Sequence, residues 1–169
     1  MISEKMQEAL NAQINKELYS AYLYKAMSAV CSQENLDGFA NWFNIQAQEE
    51  YAHAMGFYNH IIDRGGVINL LAIDAPCLKE RTPLDLFKRT LEHEQYVTAC
   101  IYELSDLAVA ENDKPAKLLL DWYVREQLEE ESTAEKIIDT LTRFGKDENA
   151  LFFLDKDFST RTFVQPTIA

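Results

Sequence analysis

Glu50 and His53 are the residues whose types and spacing most directly suggest chemistry. They stand three positions apart in a long amphipathic segment. On an α-helix such positions share one face, so a carboxylate oxygen and an imidazole nitrogen can bind the same cation. A single Glu-x-x-His pair is weak support for a metal site, because a buried histidine bonded to a carboxylate is also common. The pair gains meaning from other acids in the chain.

Four segments each carry an apolar stripe with an acid near its midpoint. Steps of three and four residues along each stripe are typical of a helix face that packs into a core. The mid-stripe acids are Glu17, Glu50, Glu94 and Glu130. Carboxylates buried together without partners are costly, so they take up protons or cations. No Lys or Arg lies on these stripes, and two divalent metal ions would balance the four negative charges. The pattern therefore predicts a dinuclear metal centre.

The four segments also repeat as two pairs. Glu17 and Glu50 are 33 residues apart, as are Glu94 and Gln127. The second pair has Gln127-x-x-Glu130 in the place of the Glu-x-x-His of the first. Di-iron carboxylate bundles place one Glu on each of two helices and a Glu-x-x-His on each of the other two. The repeat predicts an all-α four-helix bundle of this type with an altered second motif.

Composition favours one helical domain over residues 1–169. With 47% hydrophobic and 26% charged residues, the chain can bury a full core and does not have the composition of a membrane protein. Only five Gly and four Pro favour long helices over sheets. A net charge of −12 repels nucleic acid and anionic membranes, so neither is a predicted partner. Three widely spaced cysteines and a charged start predict a cytoplasmic protein.

Capping residues, Gly and Pro set the expected helix boundaries. The predicted helices span about 4–32, 36–64, 83–112, 115–144 and 147–156. The segment 65–82 is long for a loop, but about 18 extended residues reach roughly 60 Å, more than a helix of about 42 Å. It therefore predicts a crossover that makes the second and third helices parallel. Apolar residues 151–154 in the short fifth helix must be covered by the bundle's end or by other subunits.

At this level of detail the chain resembles the prokaryotic non-haem ferritins over essentially its whole length. The positions in register with that family's ferroxidase centre are Glu17, Glu50, His53, Glu94, Gln127 and Glu130. The resemblance implies a ferritin-like bundle with one long crossover loop and a short fifth C-terminal helix. It also implies a ferroxidase that oxidises iron(II) with dioxygen or hydrogen peroxide. The iron(III) mineral would be stored in a homo-oligomeric hollow shell of roughly two dozen subunits.

The resemblance further implies roles for single residues. Glu17, Glu50 and His53 would hold one iron, and Glu50 as a bridge would hold the second with Glu94 and Glu130. Gln127 would be a polar neighbour of the pair.

A third iron site is implied by the match at four acids. They are Glu49, Glu126, Glu129 and the shared Glu130. A run of acids can equally be a solvated face, and that alternative stays open here. Tyr24 lies two turns from Glu17 on the same face, so its hydroxyl could reach the metals or simply pack in the bundle.

Some features depart from ferritin patterns or fall outside the centre. Lys117 and Leu120 stand where animal ferritins have acids lining their iron channels, so that route is not predicted here. The second Glu-x-x-His of haem-binding bacterioferritins is absent, and we predict no haem. His60 and His93 are expected to be structural, since neither obviously faces the metals.

Two other classes of protein compete with an iron-storing ferroxidase. A di-iron enzyme acting on an organic substrate would usually need pocket-lining insertions, and a peroxidase of the rubrerythrin kind would carry both Glu-x-x-His motifs. A helical protein with purely structural acids would not explain an acid at mid-stripe on all four helices. A miniature ferritin that protects DNA often has a basic tail, whereas this tail has only Arg161.

Overall fold

A computed structural model describes residues 1–168. Within that range the chain forms five α-helices and no strand. The helices are α1 (Glu4–Gln33), α2 (Asp37–Asp63), α3 (Pro83–Ala110), α4 (Lys114–Phe144) and α5 (Glu148–Phe158). The first four form a bundle and the fifth packs across one end of it, which confirms the predicted all-α fold.

Side chains at the helix starts explain where four of the helices begin. Ser3, Thr82, Asp113 and Asp147 each accept a hydrogen bond from a backbone N–H in the first turn of α1, α3, α4 and α5. Such bonds satisfy donors that have no partner inside the helix. After α1 and α3 the chain passes through left-handed residues, with φ of 57° at Asn35 and 52° at Asn112, which turn it out of the helical path.

Two apolar clusters fill the bundle and show how its helices run. One cluster joins the start of α1 and α4 to the end of α2 and α3, for example Met6 to Ile61 and Ala108. The other joins the opposite ends, for example Met27 to Phe43 and Phe87. Because α2 and α3 end in the same cluster, they are parallel, and the residues between them form the long crossover. The mid-stripe polar residues lie between the two clusters along every helix.

The crossover is tied to α1 by polar side chains, among them the buried Asn11. The Nδ2 of Asn11 donates to the carbonyl oxygen of Val67 at 2.9 Å, and its Oδ1 accepts from the N–H of Asn69 at 2.7 Å. The side chain replaces backbone partners that an irregular segment lacks. This fixes the path of the loop along the outside of the bundle.

Helix α5 and the tail after it pack mainly against α2. Leu151, Leu154 and Phe158 contact the apolar cluster at that end, whereas Phe152 and Phe153 are 57% and 70% exposed. The apolar run of the fifth helix is therefore covered only in part by its own subunit. No helix in residues 1–168 is long and apolar enough to cross a membrane.

Candidate metal centre

Glu17, Glu50 and His53 meet in the middle of the bundle. They come from facing turns of α1 and α2, and each is at most 2% exposed. One ligand atom from each lies within 4.8 Å of the other two. The Nδ1 of His53 is 3.5 Å from Oε2 of Glu50, as expected for positions three apart on a helix. Two carboxylates and an imidazole form a donor set that suits a divalent transition metal.

The imidazole of His53 is fixed in place but incompletely bonded. The ring packs edge-on against Trp122 and Tyr123, with centroids 5.6 and 5.9 Å away. The Tyr123 hydroxyl donates to the backbone oxygen of His53 at 2.6 Å. The buried Nε2 has no hydrogen-bond partner within residues 1–168, and Oε1 of Glu126 lies 3.7 Å from it. A buried polar atom left unpaired is costly, so this orientation favours a bound cation nearby.

Glu94 on α3 is held by donors on both oxygens. The Tyr24 hydroxyl donates to Oε1, and Nε2 of Gln127 donates to Oε2 at 3.1 Å. Tyr24 is fully buried, so it packs in the bundle and also reaches an acid of the centre. Gln127 contacts Glu94 as the repeat suggests, because both face the interior at the same height.

Two further carboxylates are held by glutamine amides. Gln13 donates to Oε1 of Glu17 at 2.8 Å, and Gln46 donates to Oε2 of Glu130 at 2.7 Å. These amides fix the direction of the carboxylates but add no positive charge. Sequence reasoning gave Gln13 no role, although it precedes Glu17 by one helical turn on the same face.

The electrostatics of the centre favour a proton or a cation on its buried carboxylates. Burial raises the pKa of Glu50 well above its usual range, and the nearby Glu94 charge raises it further. Burial raises the pKa of Glu94 to about 7, although hydrogen bonds from Tyr24 and Gln127 oppose this. Burial together with the Glu94 charge raises the pKa of Glu130 to about 8. Such groups hold protons near neutral pH and release them when a cation binds.

The three histidines differ sharply. Burial lowers the pKa of His53, but the carboxylates of Glu126 and Glu50 outweigh it and raise that pKa well above its usual value. Burial lowers the pKa of His93 to about 4, and its Nε2 lies 2.7 Å from the hydroxyl oxygen of Ser20. His60 lies 3.2 Å from the guanidinium of Arg64. His93 and His60 thus make contacts outside the group formed with Glu17 and Glu50.

The four acids of the implied third site match the family's pattern in the sequence. The structure does not bring three of them within 4.8 Å of one another in residues 1–168. Within residues 1–168, Glu17, Glu50 and His53 are the sole group of three such ligands brought within 4.8 Å. Glu49 and Glu126 are half-buried, and Glu129 is exposed. Glu126 faces His53, whereas Oε2 of Glu49 is 2.5 Å from Nη2 of Arg161.

Arg161 is a neighbour of these acids that sequence reasoning missed. It follows α5 in a tail with no helical period, so no stripe placed it near the acids. Its guanidinium also bonds Oε1 of Gln46 at 3.1 Å. Only the fold of α5 back against α2 brings it there.

Comparison with known proteins shows the family to which the chain belongs. The ferritin-like domain model matches residues 7–144 of the chain. The chain belongs to the ferritin family. The bacterial non-haem ferritin of Staphylococcus aureus is 43% identical over 163 residues, which cover 96% of this chain and 98% of that protein. The bacterial non-haem ferritin of Bacteroides fragilis is 42% identical over 161 residues, covering 95% and 100%.

Solved ferritin structures agree with this placement. An engineered closed form of Archaeoglobus fulgidus ferritin superposes with a TM-score of 0.95 at 46% identity, covering 97% of this chain and all of that one. The open-pore ferritin of the same archaeon superposes with a TM-score of 0.93, covering 95% and 98%. The predicted resemblance to prokaryotic non-haem ferritins and the ferritin-like bundle are both confirmed.

Proposed function

We propose that the protein is an iron-storage ferritin whose subunit carries an intrasubunit di-iron ferroxidase centre. The observation that carries the proposal is the buried group of Glu17, Glu50 and His53 with Glu94 and Glu130 on the opposite helix pair. Iron(II) is then a substrate, bound as a divalent ion by carboxylates and an imidazole. Family membership and relatives named bacterial non-haem ferritins support the same function.

The first iron position takes Glu17, Glu50 and His53. The second takes Glu94 and Glu130, with Glu50 as the bridge between the two. The raised pKa values of Glu50, Glu94 and Glu130 support this assignment, because groups that cannot all ionise together become anionic once cations neutralise them. Metal binding therefore replaces protons in the centre.

Oxidation of iron(II) at this centre is balanced by reduction of dioxygen or hydrogen peroxide. Each of two iron(II) ions gives up one electron, and dioxygen takes both electrons and two protons to become hydrogen peroxide. When hydrogen peroxide is the oxidant, two electrons and two protons reduce it to two molecules of water. Holding both ions between Glu50 and its neighbours lets the two electrons leave together.

Tyr24 and Gln127 are assigned to positioning within this centre. Both donate to Glu94, so they hold the carboxylate that the second iron requires. Burial and the Glu94 charge raise the pKa of Tyr24 well above its usual value, which keeps the hydroxyl protonated and able to donate.

A third iron position is proposed beside the pair. It would use four acids on α2 and α4, which are Glu49, Glu126, Glu129 and the shared Glu130. A carboxylate-only set suits a hard cation. Its acids are partly hydrated and not gathered, so this position should fill last.

The storage shell is proposed from apolar surface that one subunit leaves uncovered. A groove of about 730 Å³ runs between α1 and α2, and Ile73 of the crossover and Phe163 of the tail also line it. Tyr22, Tyr51 and Ile73 are exposed in this groove, and Val67, Leu70 and Leu71 are exposed on the crossover. Exposed apolar surface of this size is typical of subunit interfaces. We propose a homo-oligomeric shell of roughly two dozen copies, as in ferritins; its cytoplasmic location stays a prediction.

Aerobic addition of iron(II) to the metal-free protein tests the function. Oxygen uptake and iron(III) absorbance should show a fast phase that saturates at the di-iron centre, followed by continued uptake far beyond the site count. Glu50→Ala removes the bridging ligand and should abolish the fast phase while helical content by circular dichroism is kept. Glu8→Ala, an exposed acid on α1, is the matched control and should behave as wild type.

Two results would contradict the proposal. An unchanged fast phase in the Glu50→Ala protein would remove the centre from the reaction. Saturation at two or three ions with no further uptake would point to a di-iron enzyme rather than a store.

A further inference from the structure

The tail after α5 runs back along α2 and is held at both ends. Nδ2 of Asn41 donates to the carbonyl oxygens of Phe158 at 3.0 Å and Arg161 at 2.9 Å. At the other end Ile168 sits against Gly56, where an added Cβ would lie 2.7 Å from its Cδ1. The tail therefore follows α2 for about 22 Å, at 1.5 Å for each residue from 41 to 56. This path passes Glu49, one of the acids of the third position.

At one point of that path, the Arg161 side chain packs against α2 and donates hydrogen bonds to it. Nη1 donates to the carbonyl oxygen of Trp42 and to Oε1 of Gln46, both at 3.1 Å. Nη2 donates to Oε1 of Gln46 at 3.1 Å and Oε2 of Glu49 at 2.5 Å. The guanidinium also stacks over the Trp42 ring, 4.7 Å from its centroid. A planar guanidinium that stacks on an aromatic ring and donates to several acceptors is held in a well-defined position.

Gln46 connects Arg161 to the di-iron centre. A glutamine amide has one oxygen that accepts and one nitrogen that donates. Because Oε1 of Gln46 accepts from Arg161, its Nε2 has to face the other way, and it donates to Oε2 of Glu130 at 2.7 Å. Arg161 thereby fixes the amide that holds Glu130, an acid proposed to serve both the second and the third iron positions.

Arg161 also brings a positive charge to the third position. Its contact occupies Oε2 of Glu49, one of the two oxygens that this carboxylate could offer a metal ion. It also reduces the negative charge that would attract such an ion. Glu126 faces His53 and Glu129 is exposed, so Glu49 and Glu130 are the members of the set that Arg161 holds, one directly and one through Gln46.

We propose that Arg161 is a specificity-determining residue that weakens the binding of divalent metal at the third acid group and holds Glu130 for the di-iron pair. The proposal rests on the ferroxidase function proposed above. It predicts that the wild-type subunit binds two ions tightly and a third weakly. Displacing the guanidinium frees Glu49 and lets the Gln46 amide turn.

Anaerobic calorimetric titration of the metal-free protein with zinc(II) measures this directly. Arg161→Gln should tighten binding of the third ion by roughly tenfold, the order expected when one unit charge is removed a few ångströms away at a partly hydrated site. Binding of the first two ions should change much less. Arg143→Gln removes an exposed arginine on α4 that pairs with Asp139 and should leave all three affinities unchanged.

Three further variants show whether a tighter third ion comes from the freed Glu49 or from the lost Arg161 charge. Glu49→Gln added to Arg161→Gln should cancel the gain, since it removes the freed ligand. Arg161→Ala removes the same charge without adding an amide and should reproduce the gain. Arg161→Lys keeps the charge, so the third ion should stay weakly bound. Anomalous diffraction from zinc-soaked crystals of Arg161→Gln should place the added ion beside Glu49.

Equal third-ion affinity in wild type, Arg161→Gln and Arg161→Ala would overturn the proposal, as would a gain that survives Glu49→Gln. The function proposed above fails on a different result. If Glu50→Ala binds the first two ions as wild type does, the di-iron assignment is wrong whatever Arg161 does.

Discussion

The carboxylates at mid-bundle determine how the centre responds to pH. Burial and mutual repulsion raise the pKa of Glu94 to about 7 and of Glu130 to about 8. An unfolded glutamate ionises near pH 4.3, so the folded metal-free protein retains protons that the unfolded chain has lost. Their stabilising contribution is complete below that unfolded value and is lost as pH rises through the folded value.

The metal-free protein should therefore lose stability between pH 6.5 and 8.5. Over that window a carboxyl with a pKa of about 8 contributes about 2 kcal/mol of the loss. Glu130→Gln cannot ionise, so the fall in the free energy of unfolding should become shallower by about that amount. Urea denaturation at several pH values measures it. The window avoids His93, whose pKa of about 4 makes stability fall in the acid range instead.

Zinc(II) provides the control for this effect. Because metal and protons compete for the same carboxylates, the zinc-bound wild-type protein should gain stability over the same pH window. Wild type and Glu130→Gln with the same slope in the metal-free state would show that Glu130 is already ionised at pH 6.5.

At the residue level, helical spacing located side chains that face the interior, since a stripe with steps of three and four defines a face. It predicted Glu17, Glu50 and Glu94 at one height, and the fold places them there. The same reasoning could not find Arg161, because its contact with Glu49 depends on where a tail without periodicity is packed. It also left the two uses of Tyr24 open, since one buried side chain can both pack and donate.

Helix α5 acts on the bundle by capping another helix. The N-cap of α2 is Leu36, whose side chain cannot accept a hydrogen bond. Asp155 of α5 fills that role, with Oδ1 accepting from the N–H of Phe39 at 3.0 Å. The two helices touch at Gly38, where an added Cβ would lie 1.6 Å from the carbonyl oxygen of Asp155. Only glycine allows this approach.

Asp155→Ala should destabilise the subunit by about 1 kcal/mol, the usual cost of losing a capping side chain. Thermal unfolding followed by circular dichroism measures the change. Asp157→Ala is the matched control, because this exposed aspartate lies on the same helix and should change stability by less than about 0.5 kcal/mol. Equal stability of the two variants would mean that the cap from α5 contributes nothing.

The elements themselves were largely accessible from sequence. Local signals such as Ser3, Thr82-Pro83 and Gly65 mark helix ends through short-range chemistry. The structure ends α3 at Ala110, two residues before the predicted boundary, because Asn112 adopts a left-handed conformation. The capping of α2 by α5 was beyond sequence reasoning, since its partners are more than a hundred positions apart.

At the scale of the whole molecule, a single subunit leaves apolar surface exposed to water. Helix α5 has no fully buried residue. A cavity of about 290 Å³ lies between it and the end of α4, lined in part by Phe144, Leu151 and Phe153. The sequence of one subunit does not predict where the pores of a shell would lie. Leu120 is fully buried and Lys117 pairs with Asp121. Neither residue carries a carboxylate that could line an iron channel.

The oligomer should depend on the exposed aromatic residues of α5. Wild-type protein should elute from size exclusion as a particle far above the 19.5 kDa subunit, with its mass measured by light scattering. Phe152→Ser with Phe153→Ser should shift the population to smaller species, because two large apolar side chains lose the burial that assembly gives them. Val164→Ser changes a single residue on the tail that is 73% exposed and should leave the particle intact. A wild-type protein that stays monomeric at micromolar concentration would contradict the proposed shell, whereas an intact particle in the double variant would move the contacts to the groove between α1 and α2.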